Sequence, residues 1–240
     1  LHLNAKIAGV GRSMRGVLMT LEDGTEIAGS HVLFATGRAP NTDKLNLAAV
    51  GLETDSRGYV PTDAKLRTKV PNLWALGDVN RRGACTHTSY HDHEIVLADL
   101  DKIKDRYQWK DADQRPTTYA MFTDPPLGRV GLSRTEARKL AAEGRNILIA
   151  DMKMADISRA KEESETTGLI RIIVDGDSEA ILGATVFGIA GDEIIAIFSN
   201  FMATGASYKI MQQALPVHPT VAELIPTILA GLKPLAAANA

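Results

Sequence analysis

Two short apolar runs that each halt at a glycine do most to limit what this chain can fold into. His31-Val32-Leu33-Phe34-Ala35 stops at Thr36-Gly37, and Asn72-Leu73-Trp74-Ala75-Leu76 stops at Gly77-Asp78. A continuous apolar run of this length predicts a strand buried on both faces. A glycine where such a strand ends lets the backbone approach a bound phosphate or dinucleotide closely. Either motif alone is equally an ordinary strand-to-turn glycine. Both in order, about forty residues apart, favour an α/β region with a ligand at its strand ends. Asp78 adds a carboxylate suited to accept hydrogen bonds from sugar or polyol hydroxyls, where the plainer reading is a turn-forming Gly-Asp pair.

The surrounding sequence divides in two. Residues 1–34 read as short strands with turns, among them a hairpin signal in Val17-Leu18-Met19-Thr20-Leu21, Glu22-Asp23-Gly24-Thr25 and Glu26-Ile27. Gly9-Val10-Gly11 begins like a dinucleotide fingerprint, but Met14 takes the third glycine position and no helix pattern follows, so a loop is expected. Residues 38–72 are rich in turn formers, and Ile95, Leu100 and Ile103 predict a helix over residues 88–104. Residues 108–116 are polar and charged and read as a linker. Beyond them, Ser133-x-x-Glu136 is a capping box opening a helix that Gly144 closes. Strands are expected at 147–154, 169–175 and 181–187, the last two joined by Asp175-Gly176-Asp177. A long amphipathic helix is expected at 192–204, with Ile194, Ile195, Ile197, Phe198, Phe201 and Met202 on its apolar face, and two shorter helices bracket residues 218–223.

The strongest chemical signal is His218-Pro219-Thr220-Val221-Ala222-Glu223. A histidine with a carboxylate partner suits general acid–base work, because imidazole titrates nearest neutral pH. Thr220-x-x-Glu223 is also a capping box, with Pro219 suited to a helix start, so Glu223 has a competing structural use. His87, His91 and His93 with Asp92 and Glu94 raise a metal reading, since His-x3-His shares one helix face. His93 lies off that face and no second cluster supplies ligands, so no metal is expected and a solvated helix near a ligand is preferred. Cys85 is the sole cysteine, which rules out an intrachain disulfide and points to a buried small residue. A formal charge of −2 argues against nucleic acid, and the apolar stretch 224–232, interrupted by Pro226, is too short to span a bilayer. With no leader pattern, a cytoplasmic location is the default expectation.

Taken together, Ala35-Thr36-Gly37-Arg38-Ala39-Pro40-Asn41-Thr42, Val70-Pro71-Asn72-Leu73-Trp74-Ala75-Leu76-Gly77-Asp78-Val79 and His218-Pro219-Thr220-x-x-Glu223 resemble the class I pyridine nucleotide–disulfide oxidoreductases. That family includes dihydrolipoamide dehydrogenase, glutathione reductase and mercuric reductase. Ser158-Arg159-Ala160-Lys161 and Leu224-Ile225-Pro226-Thr227 resemble the mercuric-reductase-like branch most. The resemblance implies α/β and α+β architecture: the C-terminal part of an FAD/NAD(P)-binding Rossmann-like region, then an α+β dimerisation domain with an antiparallel sheet. Residues 1–34 would be the tail of the NAD(P)-binding domain, 35–110 the C-terminal part of the FAD-binding domain, and 115–240 the interface domain of a homodimer. Gly37 and Arg38 would lie against the nicotinamide cofactor. Gly77 and Asp78 would bind the FAD ribityl chain, and Thr86 and His87 would turn backbone N–H groups towards the flavin pyrimidine edge. His218, oriented by Glu223, would move protons at the thiols beside the partner's flavin.

The family's FAD fingerprint, redox-active cysteine pair and NAD(P) fingerprint have no counterpart in these 240 residues, so the chain is expected to be a C-terminal fragment. Mercuric reductases proper also carry a C-terminal cysteine pair and a tyrosine near the position of His218, so mercury reduction is not expected. The expected parent is an FAD-dependent, NAD(P)H-using enzyme acting on a disulfide or other small molecule. The alternatives are a truncated, non-catalytic dimerisation module, and a flavoprotein of this fold reducing metal ions, quinones or oxygen.

Overall fold

A computed structural model describes residues 1–14, 16–100 and 111–236. It divides into two compact units, residues 1–41 and 42–240. The first is an antiparallel meander of β1 (Ile7–Ser13), β2 (Gly16–Leu21) and β3 (Glu26–Gly29). The predicted hairpin forms, its turn fixed by Asp23 Oδ1 accepting from the Thr25 N–H at 2.9 Å. Gly9-Val10-Gly11 is not a loop but lies inside β1, opposite Thr20, Met19 and Leu18. Extended backbone suits glycine once a neighbouring strand satisfies its hydrogen bonds.

Residues 31–35 form no strand, contrary to the apolar pattern, and Leu33 is 88% exposed. A strand buried on both faces needs a ladder at each edge, and among the described residues of this unit the sheet ends at β3.

The second unit begins with turns packed around buried Leu52, Val60 and Ala75. The second predicted strand also fails to form: only Trp74 makes a bridge, to Arg67, while Ala75 N–H donates to Leu66 O at 3.1 Å. The Pro71-Asn72 corner, with Asn72 at φ +59, folds the run back on residues 66–68 instead of into a sheet. A 3-10 turn at Gly77–Asn80 follows, then α1 (Thr86–Asp99). This helix starts two residues before the predicted one and its described part is capped by Leu100; Ile103 lies outside the described residues, as do residues 108–110 of the expected linker.

The remainder is a six-stranded antiparallel sheet in the order β4-β5-β8-β7-β6-β9. In chain order the elements are β4 (Thr118–Met121), β5 (Leu127–Gly131), α2 (Arg134–Ala142), β6 (Ile147–Lys153), α3 (Ser158–Glu162), β7 (Leu169–Asp175) and β8 (Ile181–Phe187). They continue with α4 (Gly191–Thr204), α5 (Tyr208–Gln212), α6 (Ile225–Ala230) and β9 (Lys233–Pro234). β4 is only four residues long and β5 carries two glycines, and neither was legible in the sequence. Central β7 is buried on both faces. Ile170, Ile172 and Val174 join the main core with α3, α4 and α6, while Ile173 packs with Ala137 of α2. Fully burying a side chain such as Phe198 contributes about 1.5–3 kcal/mol. The predicted face of α4 is buried at Ile194, Ile195 and Phe198, but Ile197 is exposed. The capping box of α2 forms in both directions, Ser133 N–H to Glu136 Oε2 at 2.7 Å and Glu136 N–H to Ser133 Oγ at 3.2 Å. The chain is thus a mixed α/β protein with antiparallel sheets.

Candidate functional site

The histidine segment is built from the core outward. Val221, Ile225, Ile228 and Leu229 are buried against the main sheet, which fixes the 3-10 turn Ala222–Leu224 and with it Glu223. His218 Nδ1–H donates to Glu223 Oε2 at 2.6 Å. The glutamate side chain is 10% exposed and the imidazole 77%, so an anchored carboxylate presents an open ring. Charge-assisted bonds of this length are among the stronger ones, and the remaining nitrogen, Nε2, is left for another partner. The competing capping box does not form: Val221 stands at the N-cap without a side-chain bond, and Thr220 Oγ1 donates to Val217 O at 2.8 Å.

A second cluster joins the Gly77–Asn80 turn to α1. Gly77 sits at φ +74, and a Cβ there would lie 2.8 Å from Ser89 Oγ, so both conformation and space call for glycine. Asp78 lies in the first turn of this 3-10 segment. Thr86 and His87 open α1, whose N-cap, Cys85, makes no side-chain cap bond, so its N-terminal end keeps donors for a ligand. The His87 side chain is held by the main chain of β4: its Nε2–H donates to Thr118 O at 2.7 Å. Gly37 and Arg38 belong to the first unit, where Gly37 adopts φ +106 with nothing within 4 Å of a would-be Cβ.

Beneath the turn lies a polar hub that sequence reasoning missed. Asp92 is fully buried; its Oδ2 accepts from Gly77 N–H at 2.7 Å and Asn80 Nδ2 at 2.8 Å, and its Oδ1 from Arg115 Nη1 at 2.6 Å. Arg115, whose side chain is 11% exposed, also donates to Thr88 O at 3.2 Å and Arg82 O at 3.1 Å. The helix is therefore not simply solvated, since Asp92 and Glu94 are both buried. Nor is 111–116 only a linker. The available signal was the spacing of Asp92 three residues before buried Ile95, which puts an acid in the apolar stripe and requires a buried partner. Burial first, then the Arg115 charge, hold the His91 imidazole below its ordinary range. Among the described residues, no three His, Cys, Asp or Glu side chains converge as a metal site.

A cavity of about 530 Å³ opens at the start of α1, lined by Gly83, Ala84, Cys85, His87, Thr88 and Arg115 among others. That is a small-molecule scale. The helix end, the positive-φ glycine and the adjacent Asp78 are groups of the kind that would hold the flavin end of FAD.

Residues 117–228 match the profile of the pyridine nucleotide-disulphide oxidoreductase dimerisation domain, and residues 1–92 that of the pyridine nucleotide-disulphide oxidoreductase domain. The probable pyridine nucleotide-disulfide oxidoreductase RclA of Escherichia coli (strain K12) is 31% identical over 198 residues, covering 82% of this chain and 44% of that protein. The dihydrolipoyl dehydrogenase of Bacillus subtilis (strain 168) is 30% identical over 227 residues, covering 93% of this chain and 47% of that protein. The solved HOCl-induced flavoprotein disulfide reductase RclA from Escherichia coli superposes with a TM-score of 0.82 at 29% identity, over 95% of this chain and 51% of that one. The chain spans about half the length of the curated relatives it matches. Members of the family are FAD-dependent and take electrons from NAD(P)H. The paired domain matches, the antiparallel sheet and the relatives agree: the chain belongs to the pyridine nucleotide–disulfide oxidoreductase family.

Proposed function

We propose that this chain is the C-terminal part of an FAD-dependent, NAD(P)H-using oxidoreductase, in which His218 serves as acid–base for dithiol/disulfide chemistry across a homodimer. The observation that carries this reading is the 2.6 Å bond from His218 to the buried Glu223. Bound FAD would supply two-electron transfer between the nicotinamide and a thiol pair. That pair comes from outside these 240 residues, because Cys85 is the sole cysteine here. His218 takes a proton from a thiol as it is oxidised and returns one as the disulfide is reduced; Glu223 holds the ring in place through Nδ1. Asp78 holds the ribityl chain, the start of α1 at Thr86 and His87 faces the pyrimidine edge, and Gly37 with Arg38 meets the nicotinamide cofactor. In domain terms, residues 1–34 end the NAD(P)-binding domain, 35–110 end the FAD-binding domain and 115–240 form the interface.

The exposed Leu215 and Val217 just before His218 support its placement in a subunit interface. The reading places the enzyme in the cytoplasm; among the described residues no helix is long and apolar enough to cross a membrane. In the complete protein, His218→Gln should cut disulfide turnover by about 10²–10⁴-fold while NAD(P)H still reduces the flavin. Unchanged turnover would overturn the assignment.

A second reading is favoured by the closed core of residues 117–228: the chain by itself is a non-catalytic dimerisation module. It predicts a colourless dimer from the purified 240 residues. A yellow preparation with turnover refutes it.

A further inference from the structure

The geometry points to Asp92 and Arg115 as a positioning pair that preorganises the flavin contact and couples it to the interface domain. The inference rests on the proposed flavin reading of the Gly77–Asn80 turn. Asp92 spends one carboxylate oxygen on that turn, bonding Gly77 N–H and Asn80 Nδ2, and the other on Arg115. Asn80 Nδ2 in turn reaches Ala75 O at 3.0 Å, and its Oδ1 accepts from Arg82 N–H at 2.8 Å. Arg115 spans from Arg82 O to Thr88 O, so one guanidinium closes both ends of the Gly83–Ala84–Cys85 loop that leads into α1. Arg82 extends the network to Thr62 O at 2.8 Å and to Asp113 Oδ1 at 2.5 Å, within the segment that precedes β4.

Both halves of the proposed flavin contact, the acid-bearing turn and the helix end, therefore hang on a single buried ion pair. Three consequences follow from the chemistry. A planar fork with several donors meets four acceptors at once, Asp92 Oδ1, Thr88 O, Arg82 O and, at 3.4 Å, His91 Nδ1, which a lysine ammonium on one flexible stem does not reproduce. A buried carboxylate that loses part of this set leaves the turn free to rearrange. And the same bonds tie the turn to residues 111–116, which lead into β4.

The test uses the complete protein with FAD as the probe, and the variants Arg115→Lys, Asp92→Asn and Asp78→Asn. For the first two, the dissociation constant for FAD should rise about ten- to hundredfold, the size expected for one charged hydrogen bond. At saturating FAD the visible absorption bands of the flavin should also shift, a change that a purely structural loss of stability would not produce. If Asp78→Asn weakens FAD binding while both pair variants, folded by far-UV circular dichroism, keep wild-type affinity and spectrum, the positioning pair is wrong and the flavin reading stands. If Asp78→Asn also leaves FAD untouched, both fall. Should neither pair variant fold, hydrogen exchange on the wild type decides: the Gly77 amide should be protected without FAD as well as with it, and free exchange in the FAD-free protein overturns preorganisation.

Discussion

Gly128→Ala tests the packing of α4 against the six-stranded sheet. A Cβ at residue 128 would lie 2.2 Å from Gly191 O, 2.7 Å from Ile195 Cβ and 2.9 Å from Ile195 Cγ2. Ordinary contact begins near 3.4 Å, so the start of α4 must retreat by 3.4 − 2.2 = 1.2 Å along that line. The nearest obstacle is backbone, and Gly191 is itself wedged, since a Cβ there would meet Val186 O at 2.6 Å. No rotamer change relieves the clash. Retreat also loosens Ile194, Ile195 and Phe198 on β5 and β8. Overpacking costs about 1–3 kcal/mol, and one backbone obstacle with the buried Ile195 side chain beside it places this case near 3. For a chain of this size that lowers Tm by roughly 6–12 °C. Thermal unfolding followed by circular dichroism measures it, with Gly9→Ala as control because a Cβ there meets nothing within 4 Å. Adding Ile195→Ala removes the Cγ2 contact but not the one to Gly191 O, so the double variant should recover only part of the loss. A Gly128→Ala Tm equal to wild type, or full recovery in the double variant, would show that α4 does not sit as closely as described.

Two further outcomes are expected. His91 is held low by burial and then by Arg115, so the unfolded chain binds the proton more readily than the folded one. Its contribution to stability is therefore present above about pH 6.5 and is lost as pH falls below it; urea midpoints measured across this range should slope with pH, and His91→Gln should flatten them. Asp175, held low chiefly by the Ser178 N–H, and Asp99, where Arg67 and Trp74 outweigh the upward push of burial, act in a separate window below about pH 4. In the complete protein, Glu223→Gln should slow disulfide turnover by about ten- to hundredfold, through loss of the charged bond that orients His218. Turnover within twofold of wild type would separate Glu223 from the histidine's work.

Local signals were readable where local chemistry decides the outcome. The Ser133–Glu136 box, the hairpin at residues 17–27, the strands β6, β7 and β8 and the long α4 follow from capping geometry and from period-2 or period-3.6 patterns that neighbouring residues set by themselves. The runs at 31–35 and 72–76 misled because an apolar strand exists only when other strands pair with it, and that is a property of the assembled sheet. β5 was missed because Gly128 and Gly131 carry no side chain to show alternation, although close packing by α4 and β8 demands them, and β4 was missed because four residues are too few to show a period.

The sequence by itself determined the family, through three ordered motifs, and named His218 with Glu223 as a pair. It left Glu223 with two uses, a helix cap or the histidine, and only the tertiary structure decided between them. Packing of Val221 and Ile225 into the core fixes the turn so that the carboxylate faces the imidazole and the threonine bonds elsewhere. The buried pair of Asp92 and Arg115 was likewise decided in three dimensions. Twenty-three residues separate them, one on a helix and one in a polar connecting segment, and nothing local to either requires the other. Desolvation does: a carboxylate taken wholly out of water is stable only where the fold brings it a cation and enough donors.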